Sequence, residues 1–138
     1  MKIRSGFVSN SSSSSFILIS HGVPKKILDM MRNHSVACEK WIDDNDLQKE
    51  NSIYGGINNE RYGWFEDSWD VLESEHFIRF SASMDNFDLL IFAEDIGVPS
   101  DNIYVTEQNY EYDDRDPEEI YKDWSVKHRN IKIKKILK

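Results

Sequence analysis

The spacing of hydrophobic and polar positions along the chain predicts three strands. Phe16 to Ile19 form an uninterrupted apolar run, as expected of a strand buried on both faces near the centre of a sheet. His76 to Ala82 alternate between two sides, which is typical of a half-buried strand. Asn102 to Thr106 predict a third strand, which continues or turns back through Tyr110 and Tyr112.

Two further segments have helical spacing. The first begins at Pro24, and Ser35 either interrupts one long helix or caps a second. The acids Asp43 to Asp46 end it, because acidic side chains oppose the dipole at a helix C-terminus. The second helix has Asp85 as its predicted N-cap and Gly97 as its stop.

The remaining segments have weaker patterns. Residues 47–74 are rich in glycine, asparagine and aromatic residues without a clear period, which predicts a long ordered loop with a hairpin or a short helix. Pro117 predicts a short helix through Trp124. Ile131 and Ile133 alternate with lysines, which predicts a terminal edge strand.

These elements, in a chain of 138 residues, predict one α+β domain built around a single core. The sheet is expected to be mainly antiparallel or mixed, with two or three helices on one face, in a ferredoxin-like or related split arrangement. We expect residues 1–15 to form a serine-rich leader and residues 16–138 to form the domain.

The formal net charge of −8 limits the kinds of partner. It repels phosphate groups and anionic lipids, so direct binding to nucleic acid or membrane is not expected. No apolar run approaches the roughly 20 residues that span a bilayer. A single cysteine, Cys38, excludes an internal disulfide and indicates a reducing, cytoplasmic compartment. The charge suits a protein partner with a basic face, or it serves only to keep the domain soluble.

No motif predicts a cofactor, a metal site or a catalytic centre. The serines lack the neighbours of an acyl-transfer or phosphate-binding loop. His34 and Cys38 are four residues apart and would share a helix face, yet a metal site needs two further ligands. We interpret Cys38 as buried and inert. A small enzyme that assembles Cys38, His34 or His21 with distant carboxylates is the alternative.

Two segments have the composition of partner-binding surfaces, although each also has a structural interpretation. The aromatic loop supplies large contact area, or it completes the core. The acidic block after the third strand attracts a basic partner, or it is a solvated turn. The predicted partner-binding residues are Tyr54, Arg61, Tyr62, Trp64, Asp113, Asp114 and Asp116.

The opening segment SGFVSNSSSSSFIL, Ser5 to Leu18, places five consecutive serines directly before the first predicted strand. It resembles the N-terminal motif of a loose set of small bacteriophage and bacterial proteins, over about a tenth of the chain. Because that motif precedes otherwise dissimilar proteins, the resemblance implies an interchangeable recognition or address segment. A leader without a role of its own is the alternative. The candidate recognition residues are Ser9, Asn10, Ser11, Ser12, Ser13, Ser14 and Ser15.

These features together predict a phage-type accessory protein in the cytoplasm of a bacterial host. It would act by binding a host or phage protein, for example as an inhibitor or modulator, rather than by chemistry. The alternatives are the small enzyme described above and a structural component packaged in the virion.

Overall fold

The structure is a computed structural model that describes residues 13–51, 56–84, 86–108 and 111–137, with side chains in the last helix described through His128. It contains seven strands, a short 3-10 turn at Ser100–Asn102 and four helices within those ranges. The strands are β1 (Ser14–Ile19), β2 (Glu50–Asn51), β3 (Ile57–Asn58), β4 (Asp70–Glu73), β5 (Phe77–Ala82), β6 (Ile103–Gln108) and β7 (Glu111–Tyr112). The helices are α1 (Lys25–Arg32), α2 (His34–Asp44), α3 (Leu89–Ile96) and α4 (Pro117–Leu137).

Five strands form one antiparallel sheet in the order β4-β5-β1-β6-β7, so the chain is an α+β protein. Strand β1 lies between β5 and β6 and is antiparallel to both, which makes β5 and β6 parallel to each other. Strand β5 separates β1 from β4 in the same way. Two βαβ units are therefore interleaved, and the predicted ferredoxin-like order is confirmed.

Strand β1 is central and buried along its whole length, as its apolar run predicted. It begins at Ser14 rather than Phe16, because Ser14 and Ser15 pair with Ala82 and Ser81 of β5. Both serines are only 4% exposed. The predicted boundary between a leader ending at residue 15 and a domain starting at residue 16 is therefore wrong, since the last serines belong to the sheet.

Helices α1, α2 and α3 cover one face of the sheet. Phe16 and Leu18 of β1 and Phe80 of β5 point into a core shared with all three helices. The helical partners in this core are Leu28, Met31, Cys38, Ile42, Leu89, Phe92, Ala93 and Ile96. The helix pair divides at Asn33, between α1 and α2, and α2 ends at Asp44 within the predicted acidic stop.

Helix α4 covers the opposite face of the sheet, which the sequence pattern did not predict. Its residues Ile120 and Trp124 pack against Ile17, Ile19 and Phe77. The helix continues to Leu137, so the predicted edge strand around Ile131 and Ile133 is wrong. No helix-breaking proline or glycine follows Pro117 in the sequence, so the helix continues through Ile131 and Ile133. The alternation of isoleucine and lysine there covers only four residues, which is too short to distinguish a strand from a helix.

Two other boundaries differ from the prediction. Helix α3 begins at Leu89 and is capped by Asp88, whose side chain accepts a hydrogen bond from the Ile91 N–H. Asp85, the predicted cap, lies outside the described residues. The predicted loop over residues 47–74 contains the small β2–β3 pair and strand β4.

Within the described part of the chain, no helix has both the length and the apolar character needed to cross a membrane.

Candidate functional site

An open cleft lies where the serine run joins the sheet, and we call it the junction cleft. Its volume is about 330 Å³. Strand β1 contributes Ser15, β5 contributes Arg79, and the β6–β7 hairpin and the start of α4 provide the remaining walls. Its lining residues are Ser15, Arg79, Thr106, Glu107, Tyr112, Asp113, Asp114, Arg115, Asp116 and Pro117.

The end of the serine run is fastened to strand β6 by side-chain hydrogen bonds. Ser13 donates from its hydroxyl to the Glu107 carboxylate. Ser15 and Thr106 share a buried hydroxyl–hydroxyl hydrogen bond of 2.7 Å. A bulge between Ser15 and Phe16 shifts the β1–β6 register at this point. The run therefore enters the fold along one wall of the junction cleft.

The opposite wall is the acidic turn that leads into α4. The Asp113 N–H donates to the Thr106 carbonyl oxygen at 2.7 Å, which holds the turn against β6. The Asp113 carboxylate accepts the Arg115 N–H at 3.0 Å, and Arg115 also reaches Asp123 at 3.0 Å. Asp116 precedes the helix and accepts the Glu118 N–H at 3.0 Å, as an N-cap does.

The electrostatic character of the cleft is acidic, with four carboxylates against two guanidinium groups in its lining. The Arg115 backbone N–H, followed by its guanidinium, holds the pKa of Asp113 below its usual range. Within the described residues, neither Asp114 nor Arg79 has an ion-pair partner, and both are exposed. The cleft can therefore accept a cationic group at Asp114 without breaking an internal ion pair.

A second opening of about 400 Å³ lies beside the same hairpin. It shares Thr106, Glu107, Tyr112 and Asp113 with the junction cleft. Tyr112 is 65% exposed, so an aromatic ring stands at the boundary between the two openings. The β6–β7 hairpin thus presents an accessible tyrosine surrounded by carboxylates.

The structure brings together the serine and acidic predictions but not the aromatic one. Ser15, Asp113, Asp114 and Asp116 line one cleft, although Asp113 lies 98 positions after Ser15 in the chain. Ser9, Asn10, Ser11 and Ser12 lie outside the described residues. Ser14 is buried in β1, so in the folded chain it cannot serve as an accessible recognition residue.

Tyr62 of the aromatic loop is a core residue, and its prediction as a partner contact is wrong. It is 1% exposed. Its hydroxyl donates to Asp95 at 2.5 Å and accepts from the Trp41 Nε1–H at 2.9 Å. Burial, together with the hydrogen bond to Asp95, raises the pKa of Tyr62 well above its usual range. Tyr62 therefore joins the loop to helices α2 and α3.

The other predicted loop residues lie around this core contact. Arg61 remains half exposed, but its guanidinium makes two hydrogen bonds to Asp95, at 2.6 and 2.8 Å. Trp64 is partly buried, and its backbone N–H donates to the Asn86 carbonyl oxygen at 3.0 Å. Tyr54 lies outside the described residues. The described part of the loop is thus attached to the helix layer.

His34 is buried, and both of its ring nitrogens have partners. Nδ1 lies 2.8 Å from the Met31 carbonyl oxygen, which only accepts, so Nδ1 carries the proton. Nε2 then accepts the Trp69 N–H at 2.8 Å. Burial lowers the pKa of His34 below its usual value. This neutral imidazole is a structural bridge, and neither nitrogen is available to a ligand.

Cys38 is fully buried in the core of the helix layer. Burial, with a smaller contribution from the negative charge of Asp95, raises the pKa of its thiol far above the usual range. Two of the three residues named in the enzyme alternative, Cys38 and His34, are therefore buried away from any substrate. Among the described residues, no three histidine, cysteine, aspartate or glutamate side chains are grouped to hold a metal ion.

Outside the acidic turn, sequence reasoning missed four residues of the junction cleft: Arg79, Thr106, Glu107 and Tyr112. Arg79 occupies a polar position of a correctly predicted strand, and Thr106 is the last residue of another predicted strand, which in the structure continues to Gln108. Their proximity depends on β1 pairing with both β5 and β6, which a strand pattern alone does not specify. The polar positions within the predicted strands were the sequence feature that could have indicated these cleft residues.

The chain was compared with protein-family models, with curated proteins and with solved structures. None of the three comparisons gave a match.

Proposed function

We propose that this protein acts by binding another protein through the junction cleft, and that the bound surface is basic. The observation that carries the proposal is the convergence of the serine run with the acidic turn on one open, solvent-facing cleft. Four carboxylates surround this opening, and Asp114 has no ion-pair partner among the described residues. A lysine or arginine of a partner would gain charge-assisted hydrogen bonds there.

Tyr112 gives the proposed surface an anchor. An exposed tyrosine supplies a large contact area at a small loss of side-chain freedom, and tyrosines are enriched among residues that dominate binding energy. Its 65% exposure leaves most of the ring available to a partner. The carboxylates around it would steer a basic protein towards the cleft and align it.

We further propose that the binding serves an accessory role in the cytoplasm of a phage-infected bacterium, as an inhibitor or modulator of a host protein. The support is the resemblance of Ser5 to Leu18 to the phage and bacterial motif. The single cysteine, buried and unpaired as a disulfide, suits a reducing compartment. An acidic surface is suited to cover the basic face of a nucleic-acid-binding protein.

Affinity capture of the full-length chain from bacterial extract, with quantitative mass spectrometry, tests the proposal. Asp114→Lys reverses an exposed charge in the cleft, and Glu94→Lys makes the same change on the exposed side of α3. We expect a partner retained by the wild type and by Glu94→Lys to be lost with Asp114→Lys. Its retention should also fall as salt is raised. Equal retention by both variants would contradict the proposal.

A further inference from the structure

The outer surface of α1 and α2 carries a wide, shallow depression, which we call the helix groove. Asn33, with φ −114° and ψ 43°, breaks the helical path between the two helices, so their outer surfaces meet across a groove. The volume of this groove is about 520 Å³. Its lining residues are Lys25, Lys26, Asp29, Met30, Asn33, Val36, Ala37 and Lys40.

The floor of the helix groove is apolar. Val36 is 73% exposed, which is the largest value among the exposed large hydrophobic residues of the described chain. Met30 and Ala37 are partly buried and pack against the core beneath. A partner that covers the groove would therefore remove Val36 from water while resting on side chains that the core already holds in place.

The rim of the groove is cationic, although the protein as a whole is acidic. Three lysines line it against a single acid, Asp29. The Asp29 carboxylate is already neutralised by Lys25 and Arg32, each at 2.8 Å, and the Lys25 hydrogen bond is the main reason for its lowered pKa. Lys40 pairs with Asp44 at 2.7 Å, so Lys26 is the one lysine of the lining without an ion-pair partner among the described residues. The Lys25–Asp29 and Lys40–Asp44 pairs are both solvent-exposed and therefore weak, so a partner carboxylate can meet Lys26 directly and compete for the other two lysines.

We infer that the helix groove binds an acidic amphipathic helix of a protein partner. Apolar side chains on one face of such a helix would occupy the floor, as in other helix-in-groove complexes. Asp or Glu residues beside them would meet the lysine ammonium groups, while the lysine stems cover apolar surface. This inference goes beyond the proposed function, because the groove lies on the helix layer and selects the opposite charge from the junction cleft.

A synthetic peptide tests this inference by fluorescence anisotropy with the full-length chain. The probe is a helical peptide with Leu at positions i, i+3, i+4 and i+7 and Glu at the flanking positions. We expect Val36→Ser and Lys26→Glu each to weaken its binding about tenfold. Matched changes at exposed positions of α4, Val126→Ser and Lys127→Glu, should leave the affinity unchanged. Asp114→Lys should also leave it unchanged, which separates this result from the junction cleft.

Four outcomes would overturn the inference. In the first, a peptide with Lys in place of Glu would bind as tightly as the acidic peptide does. In the second, the α4 variants would weaken binding as much as the groove variants. The acidic peptide would fail to bind at millimolar concentration. Finally, sedimentation would show a wild-type oligomer that Val36→Ser dissociates, which would assign the groove to a second copy of the chain.

Discussion

Ser15 and Thr106 share a 2.7 Å hydrogen bond between their hydroxyl groups in the interior of the protein, across the β1–β6 pair. The two side chains are 4% and 8% exposed. A serine that ends a polar run is therefore a buried structural residue. The bond joins the predicted recognition segment to the strand that forms the neighbouring wall of the junction cleft.

Ser15→Ala should destabilise the fold by about 1–3 kcal/mol, because it leaves the Thr106 hydroxyl buried without this partner. Ser15→Ala combined with Thr106→Val should cost less than the sum of the single changes, since neither hydroxyl then remains. Urea unfolding of the four proteins in a double-mutant cycle measures this coupling. Ser83→Ala, at an exposed position, is the control. Additive single effects would mean that the hydrogen bond contributes nothing.

His34 should make stability depend on pH. The pKa of the folded imidazole is lowered by burial, whereas in the unfolded chain it returns to about 6.5. Below that pH the unfolded state binds the proton more readily, so stability falls as pH drops from about 6.5 towards the folded pKa. The slope from this one group is at most about 1.4 kcal/mol per pH unit.

The measurement is the free energy of unfolding between pH 5 and pH 8 for the wild type and His34→Gln. The wild type should lose more stability on acidification than the variant does. Parallel curves for the two proteins would show that His34 is not held neutral. In that case, the bridge from Met31 to Trp69 would not be made by a neutral ring.

Tyr62→Phe should destabilise the protein by about 1–3 kcal/mol without changing partner capture. The change removes the donor to Asp95 and the acceptor for Trp41, both in a partly buried network. Tyr112→Phe, on the exposed hairpin, should leave stability within about 0.5 kcal/mol. Thermal unfolding of both variants checks the predicted stabilities, and affinity capture with both variants checks whether the partner is retained. Loss of the partner with a normal melting temperature would restore Tyr62 as a contact residue.

Trp124→Ala should cost about 3–5 kcal/mol, because the indole fills the space between α4 and the sheet. Val126→Ala, two residues later and 52% exposed, should change stability by less than about 0.5 kcal/mol. Guanidinium unfolding followed by circular dichroism compares the two variants. Similar small losses for both would mean that α4 does not cover the second face of the sheet.

The sequence predicted the strands that have a clear hydrophobic pattern, either continuous as in β1 or alternating as in β5. Phe16 to Ile19 identified the central strand because both of its faces are covered. Strand β4 was missed because all four of its residues are exposed and an acidic residue stands at each end of the strand. Helix α4 was only half predicted, since Ile131 and Ile133 form too short an alternation to distinguish a strand from a continuing helix.

The candidate site was less predictable than the fold. Composition identified the acidic turn, but its contact with Ser15 depends on the register between β1 and β6 and on a bulge in it. Tyr62 shows the opposite limitation. A tyrosine has the same composition signal at an interface and in a core, and only its contacts with Asp95 and Trp41 separate the two.

Photo-crosslinking inside bacterial cells tests the junction cleft most directly. A photoreactive phenylalanine analogue replaces Tyr112 in the full-length chain, and the same analogue replaces Glu94 on α3 as the control. We predict one crosslinked partner at position 112, absent at position 94, and lost when Asp114→Lys is added. The same crosslinked products at both positions, or none at position 112, would contradict the proposal that this cleft binds a protein.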